Sequence, residues 1–224
     1  MAIKVACFNY KGGVGKTTWA IILTQIALMD KVNQPNIVVF DQDEQLNFSY
    51  YMSHLKGNAS FKDFLTVRTD QLKEEYFNIS TDLIIIDCHP SSNELTKLAL
   101  KNADFVLIPV VPNINAVAHL DKIIEMAGNN KELFQFPIVK IGFNAPGVGI
   151  IARTVNQIII NKEYSPAVIG EVPYYNRITK NLYSNPRNFW SVGLSAIQQE
   201  PFKSIYAKLL QRYKQLCAIR KGNN

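Results

Sequence analysis

Residues Tyr10-Lys11-Gly12-Gly13-Val14-Gly15-Lys16-Thr17-Thr18 bring together three glycines, two lysines and two threonines, closely after the apolar run Ile3–Phe8. Gly12, Gly13 and Gly15 lack Cβ atoms, so the backbone can fold back and aim several N–H groups at one anion. The helical stretch that follows adds the positive end of its dipole. Lys16 supplies a point charge for the β- and γ-phosphates, and the Thr17 hydroxyl is placed to ligate magnesium. The chemistry this suits is nucleoside triphosphate binding. Two further apolar runs end in acids. Ile37–Phe40 leads into Asp41-Gln42-Asp43-Glu44-Gln45-Leu46-Asn47, and Leu83–Ile86 leads into Asp87. Carboxylates two residues apart just after a strand can both face one nucleotide. Asp87, at its strand tip, is set to meet magnesium through water. Phosphoryl transfer needs little beyond a positioned nucleophile and neutralised phosphate charge.

Elements of regular spacing must hold these groups. Runs of strand length recur at Ile3–Phe8, Ile37–Phe40, Leu83–Ile86, Phe105–Val111, Ile138–Phe143 and Ala167–Val172. They are Val- and Ile-rich and continuous rather than alternating, as strands buried on both faces are. Helical stretches lie between them at Thr17–Asp30, Glu94–Lys101, Ala116–Asn129 and Thr154–Lys162, with a last one at about Phe202–Arg220. The alternation predicts an α/β fold: a doubly wound, mostly parallel sheet with helices on both faces. Ligands in such folds bind outside the carboxyl ends of the strands, which is where the chemical residues fall. The last helix carries Phe202, Ile205, Tyr206, Leu209, Leu210, Tyr213 and Leu216 at spacings of three and four. That stripe reads as core-facing rather than as a membrane anchor.

The 224 residues fit one domain spanning 1–224, and a composition 47% hydrophobic and 19% charged is that of a soluble globular protein. The N-terminus carries no signal-peptide pattern, and no apolar stretch nears the roughly 20 residues a membrane span needs. Cys7, Cys88 and Cys217 form neither metal spacing nor an even disulfide set, so a cytoplasmic location is expected. The net charge of +6 is uneven: residues 1–112 hold 10 Lys+Arg against 12 Asp+Glu, whereas 113–224 hold 14 against 6. A basic C-terminal half suits a polyanionic partner.

In the ordinary phosphate loop G-x-x-x-x-G-K-[ST] the first glycine would fall on Tyr10. Here the glycines are displaced to 12 and 13, and an extra lysine, Lys11, opens the loop. In this deviant form the chain resembles the ParA/MinD family of dimerising ATPases, whose KGGVGKTT stands intact at Lys11–Thr18. The segment Asp41–Asn47 is similar to the family's D-x-D-P-Q-G-N, with Glu44 replacing the proline and Leu46 the glycine. After Asp87 the family continues D-x-P-P, and here His89 and Pro90 stand at the prolines. His89 is read as a surface residue without a catalytic role. Asp104–Val110 resembles the family's next strand.

The resemblance implies a deviant P-loop NTPase that takes ATP and Mg2+. Lys11, Gly12, Gly13, Val14, Gly15, Lys16, Thr17 and Thr18 would hold the nucleotide. Asn144 would read the adenine edge with an amide that both donates and accepts, and Pro173 would line the base pocket. Thr17, Asp41 and Asp87 would serve the metal. Lys11, Lys16 and Asp43 would carry catalysis: Asp43 polarises the attacking water, and Lys11 reaches across a nucleotide-sandwich homodimer to the partner's phosphates, as an arginine finger does.

The resemblance is closest to short partition-type members. Their arginine segment grips DNA non-specifically, and Arg177 falls on its first arginine, with Lys180, Arg187 and the C-terminal helix lysines adding charge. No helix-turn-helix precedes the first strand, so operator binding is not expected. The expected partners are a second copy of the chain, non-specific DNA and a ParB-like centromere-binding adaptor, with the protein on the nucleoid. A MinD-like membrane-positioning ATPase, a weakly hydrolysing nucleotide-dependent scaffold and a metabolic P-loop ligase are the alternatives; no substrate constellation supports the last.

Overall fold

The computed structural model describes the chain apart from residues 1, 129, 185–189, 191–192 and 223–224. Among the described residues one sheet holds seven strands: β1 (Ile3–Cys7), β2 (Ile37–Asp41), β3 (Leu65–Arg68), β4 (Leu83–Asp87), β5 (Phe105–Val110), β6 (Ile138–Ile141) and β7 (Val168–Val172). Their order is β3-β2-β4-β1-β5-β6-β7, and every neighbouring pair is parallel. Parallel neighbours need crossovers. The connections carry α1 (Lys16–Leu28), α2 (Asn47–Lys56), α3 (Glu94–Asn102), α4 (Leu120–Ala127) and α5 (Gly149–Asn161), and β7 is followed by α6 (Asn176–Ser184) and α7 (Ala196–Gly222).

Residue parity along the strands sorts the core into two layers. Val5 and Cys7 of β1, with Leu83 and Ile85 of β4, pack under α1, α2 and α7 through Trp19, Phe48, Met52, Phe202 and Leu209. Ala6, Ile84 and Ile86 face the other way, against Leu100, Leu120, Ile123, Val155 and Ile159 of α3, α4 and α5. Both faces are covered, so the strands read as continuous apolar runs. The sheet is wholly parallel where the sequence predicted mostly parallel.

The differences in detail have local causes. β3 is an edge strand of four residues whose Thr66 is exposed, so it shows no buried run. α2 keeps Phe48, Tyr51, Met52 and Leu55 inward at helical spacing, a periodicity interrupted by its serines and tyrosines. The predicted start of α4 at Ala116 is instead a 3-10 turn, Ile114–Ala116, with the helix beginning at Leu120.

The last helix does face the core. Phe202, Ile205, Leu209 and Leu216 are buried, and no described helix is long and apolar enough to cross a membrane. Its cations are also engaged. Arg212 donates to the carbonyls of Phe134 at 2.8 Å and Pro166 at 3.0 Å, and Lys208 donates to that of Ile169 at 3.1 Å. Arg220 pairs with the buried Asp104 at 2.9 Å. Lys208 and Arg212 fasten α7 to β7 and to the turns before β6 and β7, and Arg220 ties its end to the residue before β5, which uses charge that the sequence alone would offer to a polyanion.

Candidate functional site: a phosphate loop between paired carboxylates

The strand order turns over around β1. The chain leaves β1 for β2 on one side and later lays β5 on the other, and a crevice opens above such a reversal. Register keeps the strand ends level there, with Cys7 opposite Asp87 and Asp41 opposite Asp87. The glycine loop begins immediately beyond. Gly13 and Gly15 adopt φ of +74° and +97°, the left-handed region that side chains disfavour. α1 then starts on Gly15 without a side-chain cap and without an acid in its first turn. Its leading N–H groups are thereby left to an anion.

Lys16 is buried, 7% exposed. Burial pushes its pKa down, and Asp87 and then Asp43 pull it back up. Asp87 is 1% exposed. Its Oδ2 accepts from the Thr17 hydroxyl at 2.6 Å, while its Oδ1 is buried with no hydrogen-bond partner. Desolvation raises the carboxyl to about 8, with the Thr17 hydrogen bond and Lys16 opposing and Asp41 assisting. An orphaned carboxylate oxygen beside a hydroxyl is a donor set that fits magnesium, which takes oxygen ligands and keeps several waters. Thr17 and Asp87 would hold that ion, whose chemistry is to neutralise phosphate charge. Among the described residues no group of three or more His, Cys, Asp or Glu forms a protein cage.

Asp41 is deployed differently from its partner. Its Oδ2 accepts from both the N–H and the hydroxyl of Ser49, at 2.7 and 2.9 Å, and its Oδ1 accepts from the N–H of Asp43 at 3.2 Å. Asp41 thus anchors the first turn of α2 and lies behind the cleft. Burial raises its pKa, and the Ser49 bonds oppose the rise. Asp43 lines the cleft and accepts from the N–H of Gln45 at 3.0 Å. Leu46, at the position of the family's glycine, sits at φ +51° and ψ +29°. The loop therefore keeps a glycine-like shape with a leucine in it, at a cost of roughly 1–2 kcal/mol.

The cleft measures about 420 Å³ and is lined by Gly12–Trp19, Asp43, Gln45, Asn47 and Pro90. An apolar wall of Ile141, Val172, Pro173, Tyr174, Tyr175 and Ile178 completes it. Pro173 lies in this wall. Asn144 does not line the cleft; it is exposed beyond β6 and donates to Glu171 Oε1 at 2.7 Å. Glu171 also pairs with Lys140 at 2.9 Å. Lys11 stands half-buried at the loop mouth, and Arg177 and Lys180 are exposed on α6. Arg187 lies outside the described residues. His89 contacts Ser91 at 2.8 Å.

Sequence reasoning missed the residues that brace the site. Gln42 donates to the carbonyls of Asp41 and Asp70 at 3.0 and 3.1 Å and accepts from Leu72 N–H at 3.0 Å, tying the carboxylate loop to the chain after β3. Asn9 and Ser49 act similarly on the glycine loop and on Asp41. Small amides and hydroxyls give no periodic signal, and only the loop register marks them. Tyr174 and Tyr175, which follow Pro173 directly, also line the cleft.

Two outcomes are expected. Leu46→Gly stabilises the protein by about 0.5–1 kcal/mol in urea unfolding, because relief of the left-handed leucine exceeds the added entropy of glycine; Leu46→Val destabilises it. The second concerns Asp87 in nucleotide- and metal-free protein. Its folded pKa, about 8, exceeds the unfolded value of roughly 3.9. Its stabilising contribution is therefore fully present below about pH 4 and lost as pH rises to about 8. The stability of the wild type relative to Asp87→Asn falls across that window in urea melts; a constant difference would mean an ordinary carboxylate.

Comparison with known proteins places this geometry. A family model described as an AAA domain matches residues 54–136, a stretch that contains β4 and Asp87 but not the glycine loop. No curated protein matches by sequence. Apo McdA from Cyanothece superposes with a TM-score of 0.70 at 16% identity, covering 94% of this chain and 100% of that one. A plasmid partition protein from Borrelia burgdorferi bound to AMPPNP gives 0.67 at 17% identity, covering 95% and 100%. MinD from Pyrococcus horikoshii with Mg-ADP gives 0.62 at 15% identity, covering 93% and 96%. The likeness to ParA- and MinD-type proteins, carried in the sequence by Lys11–Thr18, thus extends to the fold of nearly the whole chain.

Proposed function

We propose that this chain is a ParA-type partition ATPase, one domain over 1–224, that binds Mg-ATP, dimerises around it and coats DNA non-specifically. Hydrolysis, slow alone and stimulated by a centromere-binding adaptor, would release it from the nucleoid. The observation that carries the reading is the Thr17–Asp87 hydrogen bond of 2.6 Å at the base of the glycine loop. It joins the phosphate cradle to a carboxylate with one buried oxygen unmet. Nucleotides in two of the similar structures, AMPPNP and Mg-ADP, support the same use of this cleft.

Lys16 holds the β- and γ-phosphates from within the chain, Asp43 orients the water, and Thr17 and Asp87 hold the ion. Asp41, behind them, would meet only the ion's water shell while it braces the loop that carries Asp43. Lys11 supplies its charge to the partner's nucleotide, and Pro173 packs on the base. Asn144 presents its amide from the rim, oriented by Glu171. A carboxylate only accepts, so the Asn144 NH2 faces Glu171 and its carbonyl oxygen is left to accept from an exocyclic amine.

DNA is preferred to a membrane because the apolar stripe of α7 is spent on the core, whereas α6 exposes Arg177 and Lys180. Ile178, between them, lines the cleft, which makes α6 the natural link from nucleotide to DNA. The left-handed Leu46 favours, as a second reading, a scaffold that binds ATP and barely cleaves it; an ATPase assay separates the two.

Lys11→Ala is expected to bind ATP with near-normal affinity yet to lose hydrolysis by at least about tenfold; normal turnover would refute the trans-lysine role. For DNA, a gel shift that appears with ATP and weakens with ADP, and falls with salt as phosphate contacts do, is the expected result. Arg177→Ala should weaken it for all sequences alike. A shift indifferent to nucleotide would count against the partition reading, and liposome sedimentation would then test the membrane alternative.

A further inference from the structure

The buried amide of Asn9 has no part in the chemistry above, yet it is fully engaged. Asn9 is 1% exposed. Its Nδ2 donates to the carbonyls of Pro109 and Ala116, both at 2.9 Å, and its Oδ1 accepts from the N–H of Lys11 at 3.0 Å. Pro109 belongs to β5, and Ala116 ends the 3-10 turn beyond it. One side chain therefore ties the first residue of the glycine loop to the neighbouring strand and to the turn that follows. From the other side Tyr10 is fixed by its hydroxyl on Met126 Sδ at 2.7 Å and by edge contacts with the rings of Phe8 and His119.

The backbone entering Lys11 is thus held at its own N–H and through Tyr10, whereas its ammonium makes no hydrogen bond or ion pair among the described residues. Rigid backbone under an unpaired cation delivers charge to a fixed point outside the chain and leaves the last few bonds free to find it. We infer that Asn9 is the positioning residue for Lys11, setting where that ammonium is presented to a second copy's nucleotide. The inference rests on the trans-lysine reading of Lys11. Lys16 and the first turn of α1, which bind phosphate within the chain, do not hang on Asn9.

Loss of the amide should therefore separate binding from turnover. Asn9→Ala, assayed well below its melting temperature, is expected to keep ATP affinity within about threefold while turnover drops at least about tenfold. Proportional loss of both would mark general damage and overturn the inference, as would normal turnover. Asn9→Ser, which keeps one hydroxyl, replaces it if the alanine variant does not fold.

Mixing supplies the test that structural damage cannot imitate. Asp43→Ala lacks the water-orienting carboxylate but retains a well-placed Lys11. Combined with Asn9→Ala it forms mixed dimers in which one site has both an intact Asp43 and an intact partner lysine. Random pairing in a two-fold dimer restores roughly a quarter of wild-type activity from two inactive chains. Lys11→Ala mixed with Asp43→Ala is the control for the reading beneath. Recovery in both mixtures supports the inference. Recovery with Lys11→Ala alone overturns the role of Asn9 and leaves the trans lysine standing. Recovery in neither overturns both, and recovery with Asn9→Ala alone overturns action through Lys11.

Discussion

The arrangement depends on the desolvated opposition of Lys16 and Asp87. Both are almost wholly buried at the carboxyl ends of the central strands, and each is displaced from its ordinary ionisation by burial. Taking such groups out of water costs several kcal/mol apiece unless partners compensate. Here compensation is incomplete, since one oxygen of Asp87 is unmet. A protein whose stability came first would replace the pair with apolar residues. Its retention is best explained by a ligand of high charge that completes it: phosphates for the lysine, and a hydrated divalent ion for the carboxylate.

The sheet exists, in this respect, to hold those charges level. Register across β2, β4 and β1 brings Asp41, Asp87 and Cys7 to the same height. A slip of one residue would turn each side chain to the opposite face. Double coverage by helices prevents such a slip, because parity is fixed by burial on both sides. Asp41 then shows how a carboxylate at the same height acquires a different task. Saturated by Ser49 and Asp43, it spends its acceptors on fixing α2, and so on shaping the loop that carries Asp43.

Much of this could be read from residue order. The glycine loop, the strand-end acids and six of the seven strands declare themselves because continuous apolar runs and a dense local motif are strong signals. β3 does not, since an edge strand with Thr66 outward lacks the buried run. The partition of roles between Asp41 and Asp43 is not legible either: it turns on whether Ser49, eight residues on, reaches back to the first of them. Asn144 is a related case. Its position after β6 is as expected, but its bond to Glu171 and its place outside the cleft lining arise from β7, through a pairing that local sequence cannot specify. The substituted Leu46 is instructive in the other direction, because the departure from the family's glycine leaves the left-handed conformation in place.

Charge counting is the signal most altered by the fold. The excess of cations in residues 113–224 suggests a broad basic surface, yet Lys208, Arg212 and Arg220 are turned to backbone carbonyls or to the buried Asp104. Their work is to seat a long helix across the ends of β5, β6 and β7. On α6, Arg177 and Lys180 are exposed and share that helix with Ile178, a wall of the cleft. A ligand that fills the cleft presses on the inward face of α6 while Arg177 and Lys180 stand on its exposed surface. On the partition reading proposed above, nucleotide state and DNA affinity would be coupled through this single short helix, with no need for a rearrangement of the sheet.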